Sequence, residues 1–393
     1  MSDNQREVER KARRLAKNRK KQKIIWIILA VIIIVIAIMK ISEIDFVSLK
    51  DKFTDDNGKF SISEVFSKDE KFPISLDASD DIIFTSVGKN LAVLNDVSYT
   101  VIDSSKATVK YRDIHGYSNP IMKTNGDYTV IYDQGSHRYR LDNSSKNIYE
   151  DKINNTILCS DTSASGVVAL ATTSDSSKSE ILVYNKSLKE KKKYNVTYGY
   201  VTSIAIDDSA NRIAFAVVNS ENAKLNTIVY TMSMNDEKPR ASFSYESSTI
   251  LDLHFSSSNL YVVGSDFVSV ISSLKKENKV FNKGAINTVS YCYNQSDELV
   301  IAFSEYTGSN TDKIAYVTPS AKVKSQIDTK TMIKDITASK SKISILTSDH
   351  VITYNTSKGE EINKFDVDDS YTSIMQMSSD VFAKHQSLVE HLN

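Results

Sequence analysis

Short apolar segments recur along the chain from about residue 72 onward, and polar turns separate them. One unit occurs eight times: an apolar strand, a turn with Gly, Asn, Asp or Ser, and a second, more apolar strand. The eight copies span residues 82–95, 120–133, 157–172, 203–218, 252–265, 289–304, 335–348 and 373–387. Strand-length apolar runs joined by such turns predict β-hairpins. The pattern therefore predicts an all-β domain that contains eight similar hairpins.

Further strands follow the hairpins. A third strand that ends in a polar turn is found at residues 99–107, 139–147, 182–190, 269–277, 315–323 and 352–360. A more polar fourth strand comes next, for example at residues 106–111 and 360–365. Four strands in about 40 residues is the size of a propeller blade. We therefore predict an eight-bladed β-propeller over residues 71–393, with seven blades as the alternative if the unit at 120–150 is a long insertion.

The two ends of this domain predict how the ring closes. The last unit has three strands, at residues 373–377, 381–385 and 387–392, and no fourth. A lone strand at residues 71–76 precedes the first unit, and Pro73 within it suits an edge position where a missing N–H is tolerated. We expect this strand to complete the last blade as its outer strand, because closure removes the edges that an open sheet would expose.

A separate apolar segment lies near the N-terminus. Residues 24–39 are sixteen apolar residues without a polar interruption, and a helix of this length spans roughly 24 Å. Flanking Lys23 and Lys40 can reach the headgroups, and Ile41 extends the apolar segment. The sequence after it lacks the small residues of a signal-peptide cleavage site and a lipoprotein cysteine. We therefore predict an uncleaved transmembrane signal anchor over residues 24–41.

Charge predicts the orientation of this anchor. Residues 1–23 contain ten basic and three acidic side chains, while the whole chain has no net charge. The positive-inside rule then predicts a basic cytoplasmic tail at 1–23, a polar stalk at 42–70 and a propeller outside the cytoplasm. The body of the chain is mildly acidic, so nucleic-acid binding is not expected. The stalk residues 53–64 resemble a calcium loop, but Phe53 replaces the first ligand, and a solvated turn is the preferred interpretation.

The sequence offers few residues that indicate chemistry, and each has a simpler structural explanation. The two cysteines, Cys159 and Cys292, are expected to be buried and unpaired, and Tyr291 and Tyr293 to lie in the blade core. Lysine-rich residues 189–193 suit an exposed outer strand. Positions in hairpin turns or at blade boundaries are expected for the acidic pairs Asp80-Asp81, Asp207-Asp208 and Asp368-Asp369. Ordinary strand or surface positions on different blades are expected for the histidines, which are His115, His137, His254, His350, His385 and His391. No catalytic, cofactor-binding or metal-binding residue is predicted.

The blade pattern resembles that of quinoprotein-like and WD40-like β-propellers. Their characteristic turn occurs here in altered form, as Asp103-Ser104-Ser105-Lys106 and as Asn355-Thr356-Ser357-Lys358-Gly359. The chain also resembles a membrane-anchored propeller family of unknown function from monoderm bacteria. Quinone-dependent relatives of this fold stack the cofactor on tryptophan, but the one Trp here, Trp26, lies in the apolar segment.

These features together predict a role in binding proteins. We expect a non-enzymatic interaction or assembly platform in the cell envelope, anchored in the membrane and binding envelope proteins, with no cofactor. The alternative is a propeller enzyme or ligand sensor that acts on an envelope glycan or a small molecule through the central channel.

Overall fold

The computed structural model describes residues 72–76, 82–221 and 224–392, which contain 32 β-strands and no α-helix. Within these ranges no helix is long and apolar enough to cross a membrane. The predicted tail, signal anchor and stalk, with the calcium-loop resemblance at 53–64, lie outside the described residues. Their assignments therefore stay predictions.

The strands form eight antiparallel sheets of four strands each, so the predicted eight-bladed propeller is confirmed. Blade 1 comprises β2 (Ile83–Val87), β3 (Asn90–Leu94), β4 (Ser98–Asp103) and β5 (Thr108–Ile114). Blade 2 comprises β6 (Pro120–Asn125), β7 (Tyr128–Asp133), β8 (Arg138–Asn143) and β9 (Asn147–Lys152). Blade 3 comprises β10 (Ile157–Thr162), β11 (Val168–Thr173), β12 (Ser179–Tyr184) and β13 (Glu190–Val196). Blade 4 comprises β14 (Tyr200–Ile206), β15 (Arg212–Glu221), β16 (Lys224–Ser233) and β17 (Ala241–Glu246).

The second half of the chain repeats this arrangement. Blade 5 comprises β18 (Ile250–Ser256), β19 (Asn259–Gly264), β20 (Val268–Ser272) and β21 (Lys276–Phe281). Blade 6 comprises β22 (Asn287–Tyr293), β23 (Leu299–Ser304), β24 (Lys313–Val317) and β25 (Val323–Asp328). Blade 7 comprises β26 (Asp335–Ala338), β27 (Lys342–Leu346), β28 (His350–Asn355) and β29 (Glu361–Asp366). Blade 8 comprises β30 (Tyr371–Met377), β31 (Asp380–His385), β32 (Leu388–Leu392) and β1 (Ile74–Ser75). The unit at 120–150 is a complete blade, which excludes the seven-bladed alternative.

The N-terminal strand closes the ring as predicted. β1 pairs with β32 in an antiparallel register that sets Ile74 opposite Val389 and Ser75 opposite Leu388. Ile74 is buried in a cluster with Phe84, Phe382 and Val389, which belong to the first and last blades. Residues from the two ends of the chain therefore share one hydrophobic core.

Burial follows the position of each strand in its blade. The second strands β3 and β11 are almost wholly buried, whereas the outer strands β5 and β13 alternate between exposed and partly buried residues. The hydrophobic clusters lie between neighbouring blades: one cluster joins Leu94 and Tyr99 of blade 1 to Met122 and Ile131 of blade 2. Burial between blades is thus the main source of stability, and no disulfide bond occurs in the described residues.

A buried arginine also links blades 1 and 2. The side chain of Arg140 is 1% exposed, and its Nη2 lies 2.6 Å from Oδ1 of the fully buried Asp142 and 2.7 Å from Oδ2 of Asp113. The Tyr111 hydroxyl donates to Asp142 Oδ1 at 2.9 Å. Buried charges are tolerated only when they are paired and hydrogen-bonded in this way.

The antiparallel order of the strands defines two faces of the ring. One face carries the turns from first to second strand and from third to outer strand; we call it the turn face. The other carries the turns from second to third strand and the connections between blades; we call it the crossover face. The first strands of neighbouring blades contact each other around the axis, where they line the central channel.

Candidate functional site

The first strands that line the channel carry β-bulges. The register with the second strand shifts in β10, β14, β18, β22 and β30. The extra residue lies near the crossover face in each case. Four of these five extra residues are exposed: Thr202, Leu251, Val289 and Thr372. Bulges redirect side chains next to functional surfaces, so the crossover end of the channel is one candidate site.

An ion pair crosses the channel itself. Nζ of Lys123 on β6 lies 2.9 Å from Oδ1 of Asp252 on β18, which connects blade 2 to blade 5. The Tyr293 hydroxyl donates to the other oxygen of Asp252 at 3.1 Å. The side chain of Asp252 is 7% exposed and that of Lys123 is 42% exposed. The negative charge of Asp252 raises the pKa of Lys123, which keeps the amino group charged.

A second carboxyl group lies near this pair. Asp161 on β10 accepts a hydrogen bond from the backbone N–H of Ile206 at 2.9 Å. Burial raises the pKa of Asp161 to about 6, although this hydrogen bond and the nearby Lys123 act in the opposite direction. A carboxyl group with such a pKa can exchange a proton near neutral pH, which is the property that general acids and bases need.

His254 completes the group of polar residues in the channel. Its ring stacks on Tyr293 with a centroid separation of 3.8 Å, and its Nε2 lies 3.4 Å from Oδ1 of Asp297. Nearer the turn face, the amide of Asn125 donates to Asp208 Oδ1 at 2.8 Å, which links blades 2 and 4. Side chains therefore cross the channel at two depths and join blades that are not neighbours.

Sequence reasoning did not single out Lys123, Asp161 or Asp252. Each is a charged residue within a strand that was predicted to be the first of its hairpin. First strands line the channel of a propeller, so a charged residue within a predicted first strand is the sequence feature that could have identified these channel residues. Tyr291 and Tyr293, predicted to lie in the blade core, pack against a hydrophobic cluster, but Tyr293 also contacts the channel residues.

The histidines are scattered around the ring, although His385 and His391, predicted to lie in different blades, share blade 8. His115 is buried and bonds the carbonyl of Asn95, His350 lies between Asp349 and Asp366, and His385 contacts Glu390. His391 contacts Asp380, and His137 lies in a turn of blade 2. Among the residues that the structure describes, no group of three or more His, Cys, Asp or Glu side chains is placed to hold a metal ion.

Most of the remaining candidate residues that the structure describes have their predicted positions. Asp207 and Asp208 lie in the turn from β14 to β15, where Asp207 Oδ1 accepts the N–H groups of residues 211 and 212. Asp368 and Asp369 lie in the connection between blades 7 and 8, and residues 190–193 lie in the outer strand β13. Cys159 and Cys292 are unpaired; Cys159 is buried as predicted, whereas Cys292 is partly buried. Burial raises the pKa of both thiols, to about 12 for Cys159. Asp80-Asp81 and Trp26 lie outside the described residues.

Exposed apolar side chains are concentrated on the crossover face. The described residues include thirteen large hydrophobic side chains with high exposure. Nine of them lie in connections or strand ends of this face: Val97, Ile114, Tyr198, Tyr200, Leu225, Leu251, Val289, Tyr306 and Met332. The other four belong to the turn face: Leu188 lies in one of its turns, and Val109, Val323 and Ile362 lie at the turn-face ends of outer strands. Clustered exposed apolar residues are typical of protein-binding surfaces.

Blade 4 extends this apolar surface. β15 and β16 are ten residues long each, and their pairing continues from Asn219 to Glu221, beyond Val218, which is the last residue of β15 to pair with β14. The pairing of β16 with β17 begins at Asn226. Residues 219–221, 224 and 225 therefore extend beyond the neighbouring strands on the crossover face, and Leu225 among them is exposed. Tyr198 and Tyr230 form an aromatic pair of the same blade, with centroids 5.1 Å apart.

Two surface pockets lie away from the channel. One, of about 460 Å³, lies between blades 2 and 3 and is lined by charged residues that include Asp151, Glu180 and Lys193. The other, of about 300 Å³, lies between blades 4 and 5 and contains the stacked rings of Tyr245 and Phe267. Neither pocket contains a combination of nucleophile, base and oxyanion donor that would indicate catalysis.

Comparisons with solved structures agree with the fold. The computationally designed protein Ika8 has a TM-score of 0.61, with 13% identity over 81% of this chain and 98% of that one. The C-terminal WD40 domain of Sif2 has a TM-score of 0.57, with 10% identity over 82% of this chain and 98% of that one. Sqt1 of Saccharomyces cerevisiae has a TM-score of 0.56, with 10% identity over 82% and 97%. At these identities the likeness concerns the fold alone.

A search among curated proteins found no match to this sequence. A family profile, described as a family of unknown function (DUF5711), matches residues 58–389. This match covers the whole propeller except its last few residues and includes the end of the predicted stalk. The chain therefore belongs to the DUF5711 family.

Proposed function

We propose that this protein is a non-enzymatic interaction platform in the cell envelope, anchored in the membrane by residues 24–41, which binds partner proteins through its crossover face. The observation that carries the proposal is the position of the exposed apolar side chains. Tyr306 is 65% exposed, Met332 60% and Tyr200 51%, and all three lie on this face. Aromatic and methionine side chains are enriched where proteins bind each other.

The surrounding framework supports the same role. The crossover face consists of loops held by a closed ring of eight sheets, and binding residues are commonly placed on loops above a rigid scaffold. Ion pairs and hydrogen bonds across the channel add connections between distant blades, such as Lys123–Asp252. A partner would thus meet a surface whose backbone is already ordered, which lowers the entropy cost of binding.

Site-specific photocrosslinking in cells tests this proposal. A photoreactive amino acid in place of Tyr200 should give a discrete crosslinked product with an envelope protein. The matched control is Ile362, which is equally exposed at 51% but lies on the outer strand of blade 7. The product at position 200 should disappear when Tyr306→Asp and Met332→Asp are added. Products of equal yield at both positions, or a product at position 362 alone, would contradict the proposal.

The channel residues favour a second candidate, an enzyme or ligand sensor. Asp161, with its raised pKa, and the charged Lys123 provide a proton donor and a cation close together. In this case, Asp161→Asn should abolish turnover of a glycan or ester by the purified full-length protein, while crosslinking from position 200 is unchanged. A metal or quinone bound at one per chain, detected by elemental analysis or absorbance, would also favour the enzyme.

A further inference from the structure

A lysine recurs at the same place in seven blades. Every turn from a third strand to its outer strand contains at least one exposed lysine: Lys106, Lys146, Lys186, Lys189, Lys238, Lys275, Lys322 and Lys358. The equivalent position in blade 8 is the gap between β32 and β1, since its outer strand comes from the start of the chain. Because the turn occupies the same place in every blade, these lysines surround the axis as a ring. We call this ring the lysine rim; it lies at the outer edge of the turn face.

The turns that hold these lysines have a fixed backbone. Oδ1 of Asp103 accepts the N–H of Lys106 at 3.2 Å, and Oδ1 of Asn143 accepts that of Lys146 at 2.8 Å. Asn355 binds the N–H of Lys358 in the same way, at 3.1 Å. Such side-chain-to-backbone bonds are typical of Asx turns. The turn sequence that resembles WD40-like propellers therefore holds a lysine at a repeated position on one face.

Among the turns and connections of the two faces, only the turns of this rim contain more basic than acidic residues. The seven turns from third to outer strand contain nine basic and three acidic residues. The turns from first to second strand, nearer the axis on the same face, contain two basic and five acidic residues. The described connections of the crossover face contain four basic and eight acidic residues. The two faces therefore differ in charge, and the positive edge of the turn face surrounds a more acidic centre.

Most rim lysines form no ion pair with another described residue of the protein. The amino groups of Lys106, Lys146, Lys186, Lys275 and Lys322 form no ion pair with any residue in the described ranges. By contrast, Arg240 pairs with Asp236 at 2.6 Å, and Lys358 lies 3.9 Å from Glu360. The charge of the rim is thus available to an external anionic surface.

The chain also enters the propeller from this face. β1 is antiparallel to β32, and the N–H of Leu76 bonds the carbonyl of Ser387 near the crossover face. Residue 74 therefore lies closer to the turn face than residue 76, and the ring of Phe72 packs on His391 near the end of β32. The described chain therefore begins at Phe72, near the gap in the lysine rim, and the apolar segment 24–39 precedes this point in the sequence.

We propose that the lysine rim binds the anionic headgroups of the membrane in which residues 24–41 are anchored. This inference rests on the membrane anchor of the proposed function. A ring of lysines at equivalent positions matches a planar anionic surface, to which each lysine contributes a small, salt-sensitive attraction. The crossover face, with its exposed apolar residues, then points away from the membrane toward the partner protein.

Lysine labelling on vesicles tests this orientation. The full-length protein is reconstituted into vesicles of phosphatidylcholine, alone or mixed with phosphatidylglycerol, and treated with an amine-acetylating reagent. Mass spectrometry then gives a rate for each lysine. Rim lysines should react several-fold more slowly when phosphatidylglycerol is present, and high salt should remove this protection. The crossover-face lysines Lys178, Lys283, Lys330 and Lys334 should react at the same rate on both lipids.

Charge reversal provides a matched pair of variants. A rim variant carries Lys106→Glu, Lys146→Glu, Lys275→Glu and Lys322→Glu; a control variant carries Lys178→Glu, Lys283→Glu, Lys330→Glu and Lys334→Glu. Protection of the unchanged Lys186 and Lys358 should be lost in the rim variant and kept in the control. If a variant does not fold, the labelling of the unmodified protein on the two lipids still tests the proposal.

Flotation separates failure of this inference from failure of the anchor. Full-length protein that floats with neutral vesicles in high salt is anchored through its apolar segment. If such protein shows equal labelling of rim lysines on both lipids, or protection of the crossover-face lysines instead, the rim proposal is overturned. If the protein floats only with phosphatidylglycerol vesicles and its rim is protected, the anchor fails and the rim proposal stands. Protein that floats with neither lipid overturns both.

Discussion

The ionisation of Asp161 depends on the folded channel. Burial raises the pKa of Asp161 to about 6 from an ordinary value of 3.8, so the folded state binds this proton more tightly than the unfolded chain. The free energy of unfolding should therefore fall as the pH rises from about 4 to about 6. Asp161→Asn removes this titration and keeps an oxygen for the N–H of Ile206. We expect the variant to match the natural protein at pH ~4 and to be more stable by roughly 1–3 kcal/mol at pH ~7.

Urea unfolding at both pH values measures this difference. Asp175→Asn is the control, because it changes an exposed carboxyl group in a turn of blade 3 and should have the same small effect at both pH values. A lower stability of Asp161→Asn at neutral pH would show that the attraction of Lys123 outweighs the cost of burial.

Two arginines of one strand allow a direct comparison of buried and exposed charge. Arg140 is 1% exposed and pairs with the fully buried Asp142, whereas Arg138, on the same face of β8, is 42% exposed and pairs with Glu150. Arg140→Met leaves Asp142 without its counter-charge, and such a loss costs about 3–5 kcal/mol. Arg138→Met should cost about 1 kcal/mol or less, because exposed pairs are screened by water. Equal losses in urea unfolding would contradict this assignment of the buried network.

The strands show how much of the fold the hydrophobic periodicity alone predicts. Alternation predicted all eight hairpins, but the predicted starts at residues 203, 252, 289 and 373 lie two or three residues late. The bulges of β14, β18, β22 and β30 explain this error, because an extra residue breaks the alternation. The third strand of blade 4, β16, was not predicted, because β15 and β16 have ten residues each and are longer than the corresponding strands of the other blades.

At the level of the closing strand, β1 provides a prediction about stability. Ile74 is buried in the cluster that joins blades 8 and 1, while the neighbouring Ser75 is exposed. Ile74→Ala should lower the free energy of unfolding by about 2–4 kcal/mol, because it leaves a cavity where the ring closes. Ser75→Ala, one residue further along the same strand, should change it by less than about 0.5 kcal/mol. Thermal or urea unfolding of both variants measures this, and equal effects would contradict the role of β1 in closure.

At the level of the whole molecule, ring closure creates the sites that local patterns do not reveal. Lys123 and Asp252 are 129 residues apart in sequence and come together only because eight blades form a ring around one axis. Their presence inside predicted first strands was visible in the sequence, but their pairing depends on how many blades separate them. The lysine rim is different: its turns repeat locally, so its members were visible, and only the direction of β1 relates them to the N-terminal segment.

The orientation of the whole chain across the membrane gives the last prediction. Residues 1–23 contain ten basic and three acidic side chains next to the apolar segment, so the positive-inside rule retains the N-terminus in the cytoplasm and exports the propeller. Protease added to intact protoplasts should remove an epitope tag at the C-terminus and leave a tag at the N-terminus, whereas lysis should expose both. A cytoplasmic protein followed in the same cells controls for leakage. Protection of the C-terminal tag would reverse the proposed orientation. A mature protein that begins near residue 40 would instead replace the anchor with a cleaved signal peptide, and the lysine rim would then be the remaining route to the membrane.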